Sequence, residues 1–363
     1  MDEIQQTEIF KALEIRKSNS QKAKLAGSTL PSFDLGINYL QTGERKNKLS
    51  EHELWQYADE WFREPEKYLR LEKIPYPKVE EKDGFLLFPS LLDNSKITKF
   101  KYNPQPIGTP GRKVALIHVM HWNGRLKPYN WIISFIRNTV LPISTLIHIP
   151  AGRGLNPGNN DPADYDSVGP NIGKTIFRAR QDIQDIQFIA HHLKENMGYE
   201  QVGLFTYSIG SLRGIIASIM SPTFFDFGIF HLVADDYTEA VMSGVGTTAI
   251  ANEINGKIDY QLLQKLWSTI SPGAYLKYFS SLPKNTRIVQ CKYDFVFGLE
   301  NIENFNTKII RHRPDIELEV FPLSHTTLSN FPTGWKIMWN NIKYVYKHTL
   351  MSECRRATLF IRR

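Results

Sequence analysis

From position 113 onward, short apolar runs alternate with helical stretches, and this alternation limits the possible folds more than any other feature of the chain. The runs are KVALIHVM (113–120), STLIHIP (144–150), QVGLFT (201–206), FGIFHLVA (227–234), RIVQCKY (287–293) and IELEVFP (316–322). KVALIHVM shows little polar alternation, as strands buried on both faces do. Helices are read at YNWIISFIRNTV (129–140), at about 173–196, from the turn after Ser208 to Met220, and at 299–311. A last helix contains Trp335, Met338, Trp339, Ile342 and Val345. Strands and helices in this order predict an α/β fold, a mostly parallel sheet flanked by helices on both faces. Two earlier runs, GFLLFPS (84–90) and KITKFKYN (96–103), meet through the turn pair Asp93-Asn94 and predict a leading antiparallel pair. The stretch 151–171 is rich in Gly, Pro, Asn and Asp and is read as a long loop.

A chain of 363 residues suits one large α/β domain with additions. Residues 1–80 are read as a helical N-terminal extension and 81–363 as the α/β domain. Within the extension, SEHE (50–53) is a capping box. Leu54, Tyr57, Ala58, Trp61 and Phe62 then recur at helical period, which predicts a helix over 50–72. Such a capped amphipathic helix is expected to dock on the body of the protein. Aromatic residues beside basic ones leave peripheral membrane contact as the other reading. The first 25 or so residues carry only a weak apolar stripe among lysines and are expected to be loosely held.

Lys and Arg number 44 against 37 Asp and Glu, a mild excess of +7 concentrated partly at the two ends. These ends are read as solvated tails, and no nucleic-acid partner is expected. Two cysteines make no disulfide framework, and Cys291, in an apolar run, is expected to be a buried thiol. No Cys/His spacing suits zinc. GRGLNPG (152–158) lacks the Gly-Lys-Ser/Thr end of a phosphate-cradling loop, so neither metal nor cofactor is predicted. The start, MDEIQQTEIF, is unlike a signal peptide, and no run of about 18 apolar residues occurs. A soluble, cytoplasmic protein is expected.

The stretch GLFTYSIGSLRG (203–214) places Ser208 between a strand and a helix, with the small residues Thr206 and Gly210 two places either side. Small residues suit any tight turn. A serine in that position is also how a nucleophile is exposed at the top of a sheet, but serine needs a base to take its proton. Asp294 follows a later strand and His325 follows the last. Strand C-termini of a parallel sheet share one edge, so all three side chains are expected to meet there. Asp236 also follows a strand and is the fallback acid. His191 and His192, inside a helix, are read as packing or surface residues. Arg153 and Arg178 are candidates for anion binding or for salt bridges.

From about 84 to 348 the chain resembles the α/β-hydrolase superfamily. TYSIGS (206–211) resembles its nucleophile elbow, with Thr206 in place of the usual first glycine, where it is expected to press on the following helix. YDFVF (293–297) resembles the acid loop and LSHTT (323–327) the histidine loop, in the family's order of Ser, Asp, His. More narrowly, HWN (121–123) and NIGKT (171–175) resemble a bacterial branch related to the abhydrolase domain-containing protein 18 group, which implies no settled substrate. The resemblance implies catalysis by Ser208, His325 and Asp294. It also implies an oxyanion hole with the Ile209 N–H as one donor. The second donor is expected from the loop after 113–120, where the usual His-Gly is absent and His118-Val119 or His121-Trp122 stands instead. The Trp122 N–H is the first choice and the Met120 N–H the second.

The stretch 235–282 lies where such proteins often insert a cap. Its Tyr237, Val241, Met242, Leu262, Leu263, Leu266, Trp267, Tyr275 and Tyr278 are read either as the lining of an apolar acyl pocket or as packing of a helical insertion. The expected activity is a serine esterase acting on a small-molecule or lipid-like carboxylic ester or thioester. An acyltransferase uses the same residues, and a non-catalytic binding scaffold is the remaining alternative.

Overall fold

The computed structural model describes residues 6, 7, 10, 14, 30–40, 50–71, 76–106, 112–121, 126, 141–151, 167–328 and 332–349. The helix expected at 129–140, Trp122, Arg153, Cys354 and nearly all of the first 29 residues lie outside them.

Short helices α1 (Ile37–Leu40), α2 (Glu51–Arg63) and α3 (Pro65–Leu69) precede the sheet. Strands β1 (Glu80–Lys82), β2 (Phe85–Pro89), β3 (Ile97–Asn103), β4 (Val114–Val119) and β5 (Ser144–Ile149) follow. Next come α4 (Ile172–Glu195), β6 (Gln201–Tyr207), α5 (Ile209–Met220) and β7 (Phe227–His231). Helices α6 (Tyr237–Ser243), α7 (Thr248–Ile254) and α8 (Tyr260–Ser268) then lead into a 3₁₀ stretch, Pro272–Ser281. The chain closes with β8 (Asn285–Cys291), α9 (Leu299–His312), β9 (Glu317–Phe321) and α10 (Thr333–Thr349).

The nine strands form one sheet in the order β1-β2-β3-β5-β4-β6-β7-β8-β9. The pairs β1/β2, β2/β3 and β3/β5 are antiparallel and the rest are parallel. From β4 the chain crosses to β5 on one side and then returns to β6 on the other. The crevice beyond the C-terminal ends of β4 and β6 is therefore a topological switch point, where open α/β sheets place their ligands. Alternation along β4 divides the core in two. Ala115, Ile117 and Val119 join the cluster beneath α4 and α5, whereas Val114 and Leu116 face Ile342, Tyr344 and Val345 of α10.

Two boundaries and one strand differ most from the sequence reading. The helix over 50–72 is two helices. Ser50 and Glu53 form the capping box, but Glu64 adopts φ −128°, ψ 57° and α3 begins at Pro65. Proline cannot donate the hydrogen bond needed to continue a helix, and it drives the residue before it out of helical geometry. The strand over 227–234 ends at His231, because Leu232 turns to φ 59°. Strand β1 was not foreseen; its three residues, Glu80, Glu81 and Lys82, are exposed, with no apolar face to read.

Helices α2 and α3 pack on the body. Trp61 is fully buried, stacks on Tyr68 at 4.6 Å and donates from Nε1 to the Tyr275 hydroxyl at 2.9 Å. Lys265 pairs with Asp59 at 2.6 Å. Of the residues considered for a pocket in 235–282, Tyr237, Val241, Leu262, Leu263, Leu266, Trp267 and Tyr275 are each at most 3 % exposed within the main core. Met242 and Tyr278 pack against the same cluster. The packing reading describes these side chains.

A buried carboxyl ties α4 to the leading hairpin. Asp185 accepts hydrogen bonds from Ser90 Oγ, Thr98 Oγ1 and the Leu91 N–H. Burial pushes its pKa up to about 7, against an ordinary 3.8. Between these values the folded chain holds a proton that the unfolded chain has released. The contribution to stability is therefore complete below about pH 4 and is lost as pH rises through 7, by on the order of a few kcal/mol. Asp185→Asn should flatten this dependence. Thermal melts at pH 5 and pH 8 should show a smaller fall in Tm for the variant than for the parent, and equal falls would contradict it.

Candidate active site

Ser208 lies between β6 and α5, at the N-cap of the helix, in a backbone geometry that side chains rarely adopt, φ 57°, ψ −126°. Such geometry costs about 1–3 kcal/mol and persists only where the surroundings enforce it. The neighbouring strand supplies the enforcement. The Ser208 N–H and the Ser211 hydroxyl both donate to the His231 carbonyl, at 2.9 and 2.7 Å. The His231 ring closes the other side, its Nδ1–H donating to the Thr206 carbonyl at 3.1 Å and its Nε2 accepting from Asn341 Nδ2 at 2.9 Å. A carbonyl only accepts, so Nδ1 carries the proton. Burial lowers the His231 pKa to about 4, which keeps this neutral tautomer.

Close packing brings the end of β4 to the same turn. A Cβ on Gly210 would lie 2.5 Å from the Val119 carbonyl oxygen and 2.6 Å from that of Met120. Only glycine lets the first turn of α5 approach that backbone. Thr206 fits for a related reason. Its methyl occupies the space beside Gly214, where a Cβ would come within 2.6 Å, and its hydroxyl donates to Ser211 Oγ at 2.9 Å. The expected pressure on α5 is thus absorbed by a second glycine one turn along that helix.

The structure brings Ser208, His325 and Asp294 into one hydrogen-bonded chain. His325 Nε2 lies 2.9 Å from Ser208 Oγ, and His325 Nδ1 lies 2.8 Å from Asp294 Oδ2. Asp294 is fully buried, and its other oxygen accepts from the Val296 and Phe297 N–H groups, both at 2.9 Å. The imidazole sits against the edges of Phe297 and Tyr207, at 4.9 and 6.1 Å between centroids. The Tyr207 hydroxyl donates to the His325 carbonyl at 3.2 Å. The Lys292 and Tyr293 N–H groups donate to the Phe321 and Leu323 carbonyls, which joins the acid and histidine loops. Cys291, a buried thiol, donates to the Ser324 carbonyl at 3.3 Å.

The other candidates lie as follows. Asp236 caps α6, accepting from the Thr238 and Glu239 N–H groups, and its second oxygen takes a hydrogen bond from Gln264. Ile209 is the first residue of α5, so its N–H is one of the donors a helix start leaves unpaired within the helix. Met120 follows β4 and is buried. His118 belongs to the strand rather than to the loop; burial pushes its pKa down to about 3, and its ring packs against Phe205 at 5.0 Å. His121 sits at the edge of Tyr207, 5.8 Å away. His191 packs against Tyr76 and Phe224, and Arg178 donates to the Ala151 carbonyl. Among the described residues, no group of three or more His, Cys, Asp and Glu side chains could hold a metal ion. None of their helices is long and apolar enough to cross a membrane.

The brace through His231 and Asn341 was missed by the sequence reading. Its one signal is a histidine inside an otherwise apolar strand, which must find partners when buried.

No protein-family model matches the sequence, and no curated protein matches it. Solved structures do share its architecture. Acetyl xylan esterase 1 from Thermoanaerobacterium sp. JW/SL YS485 is similar with a TM-score of 0.52 and 14% identity, over 86% of this chain and 99% of that one. A lipase in its open form is similar with a TM-score of 0.51 and 14% identity, over 75% of this chain and 99% of that one. The acylaminoacyl peptidase of Pyrococcus horikoshii is similar with a TM-score of 0.52 and 13% identity, over 76% of this chain. The match spans only 42% of that peptidase's length. At such identities the likeness bears on the fold alone, and that fold is the α/β-hydrolase fold.

Proposed function

We propose that this chain is a serine hydrolase that cleaves carboxylic esters, or thioesters, through an acyl-enzyme. The observation that carries the reading is the unbroken path from Ser208 Oγ through the His325 ring to a fully buried Asp294, on a serine held in strained geometry. His325 Nε2 takes the hydroxyl proton as Ser208 Oγ attacks the acyl carbon. Asp294 keeps the other ring proton on Nδ1 and stabilises the imidazolium that forms. The imidazolium then passes its proton to the departing alkoxide or thiolate. Water deacylates Ser208 by the same route in reverse. The oxyanion is met by the Ile209 N–H and by a second N–H after β4, Trp122 or Met120. The esterase and the lipase that share the fold support an ester as substrate.

Within this fold, we place the chain beside the abhydrolase domain-containing protein 18 group, on HWN and NIGKT. The second motif has a structural use here. Asn171 caps α4 by accepting from the Lys174 N–H, and the Ile172 and Gly173 N–H groups dock residues 34 and 35. We retain 81–363 as the hydrolase unit, 1–80 as a helical N-terminal extension whose α2 and α3 pack on it, and 235–282 as its candidate cap.

A fluorophosphonate probe tests the reading directly. Ser208 should be labelled covalently, and labelling should vanish in Ser208→Ala. Folded parent protein that stays unlabelled by probes of several sizes would turn the assignment toward a binding scaffold.

A further inference from the structure

The last helix, α10, presents a face that the fold leaves uncovered. At about 100° per residue, Trp335, Tyr346 and Trp339 fall within roughly 40° of one another around the helix axis. Lys343, Lys336 and Lys347 occupy the adjoining strip of about 40°. The three aromatic side chains are 54%, 45% and 49% exposed. The remaining faces of the helix are committed to the protein: Ile342, Tyr344 and Val345 pack with Val114, Phe227 and Ile229, and Asn341 reaches His231.

A single exposed aromatic residue is ordinary, but three aligned on one helix are a patch. Its charge has one sign. The helix, TGWKIMWNNIKYVYKHT, contains no acidic residue, and none occurs from position 321 to 352. The Lys343 ammonium lies 5.8 Å from the Trp339 ring. Tryptophan and tyrosine favour the boundary between water and lipid, where the ring is buried and its polar atom stays wet. Lysine stems lie along apolar surface while their ammonium groups reach outward to anionic headgroups. A protein partner would fit less well, because the centres of protein interfaces are depleted in lysine. The aromatic strip beside a purely cationic one matches a helix lying in the plane of a negatively charged bilayer.

We propose that α10 docks the protein peripherally on an anionic phospholipid surface through Trp335, Trp339 and Tyr346, with Lys336, Lys343 and Lys347 supplying the charge. This surface is independent of the ester chemistry proposed above.

Sedimentation of the full chain with vesicles tests it. The protein should bind equimolar phosphatidylcholine and phosphatidylserine, should not bind phosphatidylcholine alone, and should be released by high salt. Lys336→Gln/Lys343→Gln/Lys347→Gln should weaken binding roughly a hundredfold, at about fivefold per lysine near such a surface. Trp335→Ala/Trp339→Ala should weaken it at least about tenfold, the worth of about 60 Å² of apolar surface kept from water. The two variants change different exposed side chains, so if one misfolds the other still decides. Ser208→Ala should bind vesicles as the parent does, which separates this test from that of the chemistry. Three results would overturn the proposal. One is no binding to anionic vesicles. Another is binding that persists in both α10 variants, which would assign it to the basic ends of the chain. The third is a concentration-dependent dimer lost in the tryptophan variant while vesicle binding is unchanged, which would put a second copy on this face.

Discussion

His325→Ala should leave the chain folded and cut ester turnover by roughly 10⁴–10⁶-fold, the loss typical when one member of a serine–histidine–acid set is removed. The size follows from the geometry. Ser208 Oγ has an acceptor for its proton at 2.9 Å in His325 Nε2, and alanine leaves the hydroxyl with water as its base. Folding is expected to survive because the groups that hold the loop are retained. The Leu328 N–H donates to the Ser324 carbonyl, Ser324 is also tied to Thr327, and Tyr207 binds position 325 through its carbonyl rather than through the ring. Among the described residues, the aromatic rings against the imidazole are those of Phe297 and Tyr207. Steady-state kinetics on a short-chain aryl ester, with a thermal melt beside them, give both answers. Activity within about tenfold of the parent would remove His325 from the proposed mechanism.

The parts of this arrangement that could be read in advance are those set by local pattern. The inner runs, such as 113–120 and 227–234, are strands because each is too apolar and too short for anything but a buried strand, whereas β9, at the sheet edge, leaves Glu317 and Val320 exposed. Ser208, Asp294 and His325 were visible because a parallel sheet puts the C-terminal ends of its strands on one edge. What escaped depends on contacts made across the fold. His231 and Asn341 are 110 residues apart, and nothing local in either segment announces the pair. Gly214 looks like a weak point in a helix until the Thr206 methyl is placed beside it. Strand β1 is three charged residues that pair only because β2 offers a partner edge. Over 235–282 pocket lining and packing could not be told apart, because apolar spacing is the same whether a side chain faces a substrate or a neighbouring helix; Trp267 and Tyr275 face the protein. The break at Pro65 was legible in principle, because the apolar period read from Leu54 ends at Phe62, three residues before the proline.

The order of strands offers two acids, and the contacts separate them. Asp294→Asn should lower turnover about 10⁴-fold while changing folding little. Asp294 Oδ1 accepts from two backbone N–H groups, those of Val296 and Phe297. In the variant only the amide oxygen accepts, so it takes that position and the amide nitrogen turns toward His325. An amide nitrogen donates, and so His325 Nδ1 must become the acceptor and the ring proton must move to Nε2. Nε2 then points a proton at Ser208 Oγ and cannot receive one. Asp236→Asn should behave differently. Asp236 caps α6, asparagine caps a helix about as well, and the hydrogen bond from Gln264 is the one contact at risk. A loss of no more than about threefold is expected there, given that this contact touches none of Ser208, His325 and Asp294. The two variants, measured side by side for kcat and for phosphonate labelling of Ser208, decide between the acids. A deep loss in Asp236→Asn with a shallow one in Asp294→Asn would move the acid to position 236.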